Sequence, residues 1–300
     1  MLSPARRSSA ALWLLALTLV SGYAAAQDSV PPQTRAVRSP GNADWAKDAT
    51  EARSRAASQN KLVYFEFESS GCGNCRRMQA LLYPAFDFES LLIRLVPVKL
   101  QFESPEGKLI AERYSIEDAP AVLITTPEGR LVFRMQGFKD AADFYSHVHK
   151  DLDTYRQFAK RIDAQDIASL SAEEAYATGR ELYSRLDPQA ALPRLKRATV
   201  APHPQPGLRE SALEGLAAVE LELGEAAQAR KSIDQLIAMT KNLDQRERAE
   251  LFRAQIPLSQ NNPAEALALY KKFEKDHPGS KYRDKVKSFI ERLQPTTSNR

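Results

Sequence analysis

Cysteine is nearly absent from this chain. Its 300 residues hold two, Cys72 and Cys75, too few for the multi-bridge framework that staples small secreted domains. A lone C-x-x-C cannot supply four metal ligands by itself. It also closes too short a loop to stabilise a fold much through chain entropy. Histidine is scarce as well. His147, His149, His203 and His277 stand apart, with neither zinc-ligand spacing nor a Ser-His-acid order among them. Charge of one sign is not in excess: 42 Lys and Arg against 38 Asp and Glu leave a formal +4. There is no long basic block, and the aromatics fall at core-like positions, so nothing points to nucleic acid as a partner. The longest apolar run, 10–20, is too short to cross a bilayer comfortably.

That run has the flanks of an export signal. Arg6 and Arg7 precede it, and small residues of the A-x-A kind follow it at 22–26. We read a signal peptide over 1–26, cleaved after Ala26, with an uncleaved anchor as the alternative. The arginine pair lacks the surroundings of a twin-arginine signal, and no cysteine follows the run to carry a lipid. The mature chain is expected to have no stable membrane span. Its remaining length, roughly 270 residues, is enough for two domains. Export leads to an oxidising compartment, where a disulfide persists.

Residues 27–44 read as a linker rich in Pro, Ser, Gln and Asn. A helical pattern follows over 45–58, then an aromatic and β-branched strand over 62–67, broken at 69–71. The pattern predicts a helix over 76–82 that Pro84 bends or ends, a strand over 93–100, and a helix over 107–114. Two further strands, 121–125 and 131–136, flank the turn Pro127-Glu128-Gly129-Arg130 as an antiparallel hairpin. A closing helix spans 138–148. The cysteine pair therefore lies between a strand and a helix, where one small reversible disulfide is the chemistry available.

With Cys72-Gly73-Asn74-Cys75 in register with Pro120 and the hairpin, residues 45–150 resemble the thioredoxin superfamily. The resemblance implies an α/β thioredoxin-like fold. It puts the family's buried acid on Glu66, its strand lysine on Lys99, its cis-proline on Pro120 after Ala119, and its late glycine on Gly137. Thioredoxin itself has Pro in place of Asn74, and its tryptophan before the first cysteine is replaced here by Gly71. With Arg76 and Arg77 after the motif, the segment Ser69-Ser70-Gly71-Cys72 looks more like exported thioredoxin-like domains than the cytosolic protein. Cys72 is then the attacking sulfur, its thiolate stabilised by unpaired N–H groups at the helix start. Cys75, one turn on, resolves the mixed disulfide. Gly73 lets the backbone turn tightly beside a partner, and Asn74 caps or hydrogen-bonds locally. Pro120 removes an N–H at the substrate face, so that the neighbouring backbone pairs with an extended substrate; Ala119 is small enough to admit it. Glu66, if it faces inward beneath Cys75, becomes a proton acceptor. Lys99 pairs with it or snorkels outward. Arg76 and Arg77 add positive potential or face solvent.

From 151 the pattern is almost wholly helical: a connecting segment to 170, then a helical repeat-like domain over 171–295. Ser171 and Glu174 form a capping-box signature. Helices are expected over 173–186, 210–223, 225–239, 245–258, 263–275 and 281–293. The stretch 187–207, with Pro188, Pro193, Pro202, Pro204 and Pro206, reads as a turn or long connection. The region resembles tetratricopeptide-like helix pairs: Leu213, Leu216 and Ala217 before Gly224, with Ala229, Ile233 and Leu236 after it. A weaker copy holds Ala254, Ala266, Tyr270, Phe273 and Pro278, with Pro257 interrupting its first helix. Such a domain would bind a peptide or protein and present it to Cys72, or form a dimer interface; an irregular supporting bundle is the plainer alternative. The expected function is an exported, periplasmic thiol–disulfide oxidoreductase acting on protein thiols and disulfides. It needs no bound cofactor and no metal, and a separate redox partner recycles it. The alternative is a periplasmic protein-binding or assembly scaffold whose cysteine pair is regulatory or vestigial.

Overall fold

The computed structural model describes residues 43–202, 205 and 207–294. The expected signal peptide, residues 27–42 of the expected linker, His203, Pro204, Pro206 and the last six residues lie outside them. The chain runs α1 (Ala49–Gln59), β1 (Leu62–Glu68), α2 (Gly73–Leu82), α3 (Phe86–Leu92), β2 (Leu95–Gln101), α4 (Pro105–Arg113), β3 (Ala121–Thr125), β4 (Leu131–Gln136) and α5 (Ala141–Asp163). β1 is buried from Val63 to Phe67. A strand buried on both faces needs a layer on each side, and the period-two alternation decides which residue meets which layer. Val63, Phe65 and Phe67 pack with Ala52 and Ala56 of α1 and Ile110 of α4. Tyr64 faces the other way, onto Met78 and Leu82 of α2, Phe88 of α3 and Phe144 of α5. The sheet order is β2-β1-β3-β4, with β2 parallel to β1 and the β3–β4 hairpin antiparallel.

Several boundaries move for identifiable reasons. α1 starts at Ala49, not at 45, because Ala46 donates its N–H to the Pro97 carbonyl at 2.8 Å and bridges to the β2 edge. Asp48 then caps the helix by accepting from the Glu51 N–H at 2.8 Å. α4 begins at Pro105, with Ser104 as its cap. Capped by Asp140, the closing helix α5 runs 23 residues, Ala141–Asp163, so it absorbs much of the segment expected as a separate connection.

A wholly helical region follows: α6 (Ala172–Ser184), α7 (Pro188–Val200), α8 (Leu208–Glu222), α9 (Ala226–Met239), α10 (Leu243–Ser259), α11 (Pro263–Asp276) and α12 (Arg283–Leu293). The Ser171–Glu174 capping box forms in both directions. The expected connection 187–207 is corrected: most of it is α7. Pro188 occupies the first turn, where no N–H is needed, and Asp187 caps the helix. Pro193 deprives the Gln189 carbonyl of its helical partner, but both residues are exposed, on the side of the helix where such a loss is tolerated. Pro257 does not interrupt its helix either; α10 continues to Ser259. Leu216, expected with the α8–α9 pair, turns instead toward Leu182, Leu195 and the end of α5. Leu213 and Ala217 do pack with Ala229, Ile233 and Leu236. Ala254, Ala266, Tyr270 and Phe273 pack with Val286 and Ile290 of α12.

The two regions share a core. Tyr155, Phe158 and Ile162 on the last turns of α5 are buried in the same cluster as Leu182, Leu195 and Val219. Arg194, only 6% exposed, donates to the carbonyls of Ala190 at 3.1 Å and Ile162 at 3.3 Å, a cation at the negative end of α5. Leu131, which opens β4, donates to the Arg185 carbonyl at 2.7 Å, and Arg130 pairs with Asp187 at 2.6 Å. This junction lies at the Thr125 end of the hairpin, which pairs with Val63. The cysteine pair follows the other end of β1, so a strand length of roughly 20 Å separates the two. No helix among the described residues is long and apolar enough to cross a membrane.

Candidate active site

β1 ends at Glu68, and a short turn carries the chain to Cys72. Gly71 takes φ +75° there, with open space around it, a conformation that costs other residues. Cys72 is the N-cap of α2: its sulfur accepts the Cys75 N–H at 3.0 Å. The cap expected as one option for Asn74 thus falls to the cysteine, and Gly73 and Asn74 lie exposed in the first turn. The two sulfurs are bonded at 2.07 Å. They are not equivalent. Cys72 is half-buried, whereas Cys75 is 4% exposed. The helix start offers partial positive charge to an anionic sulfur at Cys72.

Ala119–Pro120 is a cis peptide. Ala121 pairs with Phe67 near the end of β1, so Pro120 stands at the same end of the sheet as the cysteine pair. Pro120 is buried and Ala119 half-buried. The Pro120 carbonyl accepts the Gly137 N–H at 2.9 Å, and Gly137 has φ +79°. Arg76 and Arg77 are exposed. The Arg76 guanidinium lies 4.0 Å from where a Cβ on Gly73 would stand. Arg77 lies over the Phe138 ring at 4.6 Å, which joins the cysteine helix to the loop after β4.

Glu66 is 1% exposed and faces the α2 layer, the inward orientation among those that alternation allowed. Gln79 donates to its Oε1 at 2.7 Å, and the Tyr83 hydroxyl donates to its Oε2. Burial pushes the Glu66 carboxyl above its ordinary range; the bonds from Tyr83 and Gln79 and the charge of Lys99 pull it back, and Glu68 raises it. Tyr83 is pushed far above the ordinary phenol range, first by burial and then by Glu66, so it remains a donor. Lys99 sits opposite Glu66 in the β1–β2 register. Its ammonium lies over the rings of Trp45 at 4.9 Å and Tyr83 at 5.2 Å, a cation–π site rather than a close ion pair with the acid. Sequence reasoning missed Gln79, Tyr83, Trp45 and Phe138. Gln79 and Tyr83 were findable, since they stand four and eight residues after Cys75 and so share its helix face. His147, His149 and His277 remain apart from this site; His277 bonds Glu250 at 2.7 Å.

Residues 49–151 match the family model of a thioredoxin-like domain. No curated protein matches the chain. Among solved structures, it is similar to a thioredoxin from Thermus thermophilus: 24% identity over 35% of this chain and 83% of that one, with a TM-score of 0.32. It is also similar to DsbH oxidoreductase (22% identity, 40% and 91% covered, TM-score 0.34). The oxidised C-terminal domain of Neisseria meningitidis DsbD is another (17%, 33% and 89%, 0.29). Residues 49–151 form a thioredoxin-like α/β domain, and a long all-helical region follows it.

Proposed function

We propose that this chain is an exported thiol–disulfide oxidoreductase acting on protein substrates, with its helical region contributing partner choice. One observation carries the reading: the half-buried Cys72 caps α2 and is bonded to the enclosed Cys75. In the reduced form the Cys72 thiolate attacks a substrate disulfide. A Cys72–substrate S–S bond forms, and the other substrate sulfur leaves as a thiolate. Cys75 then gives up its proton, with Glu66 as the acceptor through water, and attacks the Cys72 sulfur. The Cys72–Cys75 bond forms and the second substrate sulfur leaves as a thiolate, which takes up a proton afterwards. The substrate disulfide is reduced and the pair oxidised; a separate dithiol or disulfide partner resets it, and the reverse sequence oxidises a client.

Gly71, Gly73, Asn74, Ala119 and Pro120 form the face on which an extended substrate segment docks, and Gly137 and Lys99 support it. The helical region, read as tetratricopeptide-like pairs, joins the domain at the far end of the sheet. That placement supports folded or long partners that reach both regions, since a small thiol would touch only one. The signal pattern at 1–26 supports a periplasmic setting. The test is a Cys75→Ala trap in the exported compartment. Discrete disulfide-linked proteins that vanish on further changing Cys72→Ser support the reading. An empty trap favours the scaffold alternative, in which the helices do the main work.

A further inference from the structure

Both oxygens of Glu66 are held from one helix face. Gln79 takes Oε1 and Tyr83 takes Oε2, at one and two helical turns beyond Cys75. Gln79 also donates to Glu68 Oε2 at 2.9 Å, so the amide ties the buried acid to an outer one. Tyr83 is held in turn. Its ring centroid lies 4.8 Å from that of Phe88 and 5.8 Å from that of Trp45, and the Lys99 ammonium stands over its face. A cation on the ring face withdraws electron density from the phenol and strengthens its hydroxyl as a donor. The same ammonium also lies over the Trp45 ring, at 4.9 Å. The fold does not need this hydroxyl for packing, because a phenylalanine would fill the same aromatic cluster.

The geometry points to Tyr83 as a positioning residue: its hydroxyl, polarised by Lys99 and aimed by Trp45 and Phe88, holds the Glu66 carboxylate ionised and aligned beneath the cysteine helix. The inference rests on the proposed role of Glu66 as proton acceptor for Cys75. Without the Tyr83 bond, only Gln79 and the charge of Lys99 oppose burial, so the acid stays protonated, and unable to receive a proton, up to a higher pH. The ionisable and charged groups around Glu66 are Tyr64 and Glu68 on β1, Tyr83 at the C-cap of α2 and Lys99 on β2; its β3 neighbour is the apolar Val122. Of these, only Tyr83 donates directly to the acid.

The test uses the full chain with 13C-labelled glutamate and tyrosine, and Glu66→Gln to assign the carboxyl resonance. Tyr83→Phe should raise the Glu66 titration midpoint by about 1 to 2 pH units, the equivalent of one hydrogen bond to a charged group. The pH midpoint of mixed-disulfide resolution should rise with it. Lys99→Met should move both in the same direction by less. In the unsubstituted chain the Tyr83 Cζ resonance should shift with the Glu66 midpoint, a readout that does not depend on any variant folding. A folded Tyr83→Phe protein with an unmoved carboxyl midpoint overturns the clamp, as does a Tyr83 Cζ that stays flat through the Glu66 titration. If the carboxyl moves but no form of the chain, unsubstituted included, makes a mixed disulfide, the clamp stands and the oxidoreductase reading fails.

Discussion

Two glycines flank the same leucine, and replacing each by alanine should change stability in opposite directions. Gly179 lies on α6 and Gly215 on α8, with Leu195 of α7 between them, 1% exposed. A Cβ built on Gly179 would meet the Leu195 Cγ at 2.8 Å, its Cδ2 at 3.1 Å and its backbone N at 3.2 Å. A Cβ on Gly215 would meet only Leu195 methyls, at 3.5 and 3.7 Å, which is ordinary packing distance. Alanine gains about 1 kcal/mol over glycine in a helix interior at either site. At Gly215 nothing opposes that gain. At Gly179 the overlap includes a branch carbon and a backbone atom, neither of which swings aside, and overpacking costs about 1–3 kcal/mol. Gly179→Ala should therefore destabilise by about 1 kcal/mol, and Gly215→Ala should stabilise by a similar amount. For a chain of this size that is a Tm change of about 2–4 °C in each direction, read by circular dichroism or calorimetry. Equal stabilisation by both would show that α6 and α7 are not this close, and would refute the packing argument.

Other substitutions probe the junction and the buried acid. Asp187 caps α7 at the Ala190 N–H, 3.0 Å away, and pairs with Arg130. Asp187→Asn, which keeps the cap, should cost about 1–3 kcal/mol in urea denaturation, and Asp187→Ala about 1 kcal/mol more; equal losses would remove the cap from the account. Glu66 contributes a pH dependence of definite sign. Its carboxyl is raised in the folded chain, so the native state binds the proton more tightly than the unfolded one. Stability relative to Glu66→Gln should fall as pH rises above the ordinary 4.5, and should level off once the raised value is passed. Urea melts of the pair from pH 4 to 8 measure it; a difference that grows with pH would contradict the burial argument.

The sheet was legible because its strands carry the signals that matter physically. The run from Val63 to Phe67, the hairpin around Gly129 and the three-residue cysteine spacing each allow few alternatives. The roles expected at the sheet's edge and beyond were harder to read. α7 was hidden by its prolines: Pro188 fits a first turn and Pro193 is tolerated on an exposed face, but proline content alone cannot tell those positions from a loop. The length of α5 was lost because its outer half is held by Leu195 and Arg194, contacts distant in sequence. Lys99 faces its expected partner in register, yet its ammonium goes to two aromatic rings, one of them Trp45, whose segment has a helical sequence pattern but lies before α1. Glu66 was singled out by resemblance. The tyrosine that clamps it lay beyond the motif and needed the helix spacing from Cys75 to be followed further.

The central claim is the inequivalence of the two sulfurs at the start of α2. Its most direct measurement is the alkylation rate of the reduced chain across pH, with the modified residue identified by peptide mass. The account predicts that Cys72 reacts first, with a thiol pKa below the free-cysteine value of about 8.5, while Cys75 is protected until the chain unfolds. Equal reactivity of the two thiols, or a leading thiol that titrates at or above the free value, would contradict it.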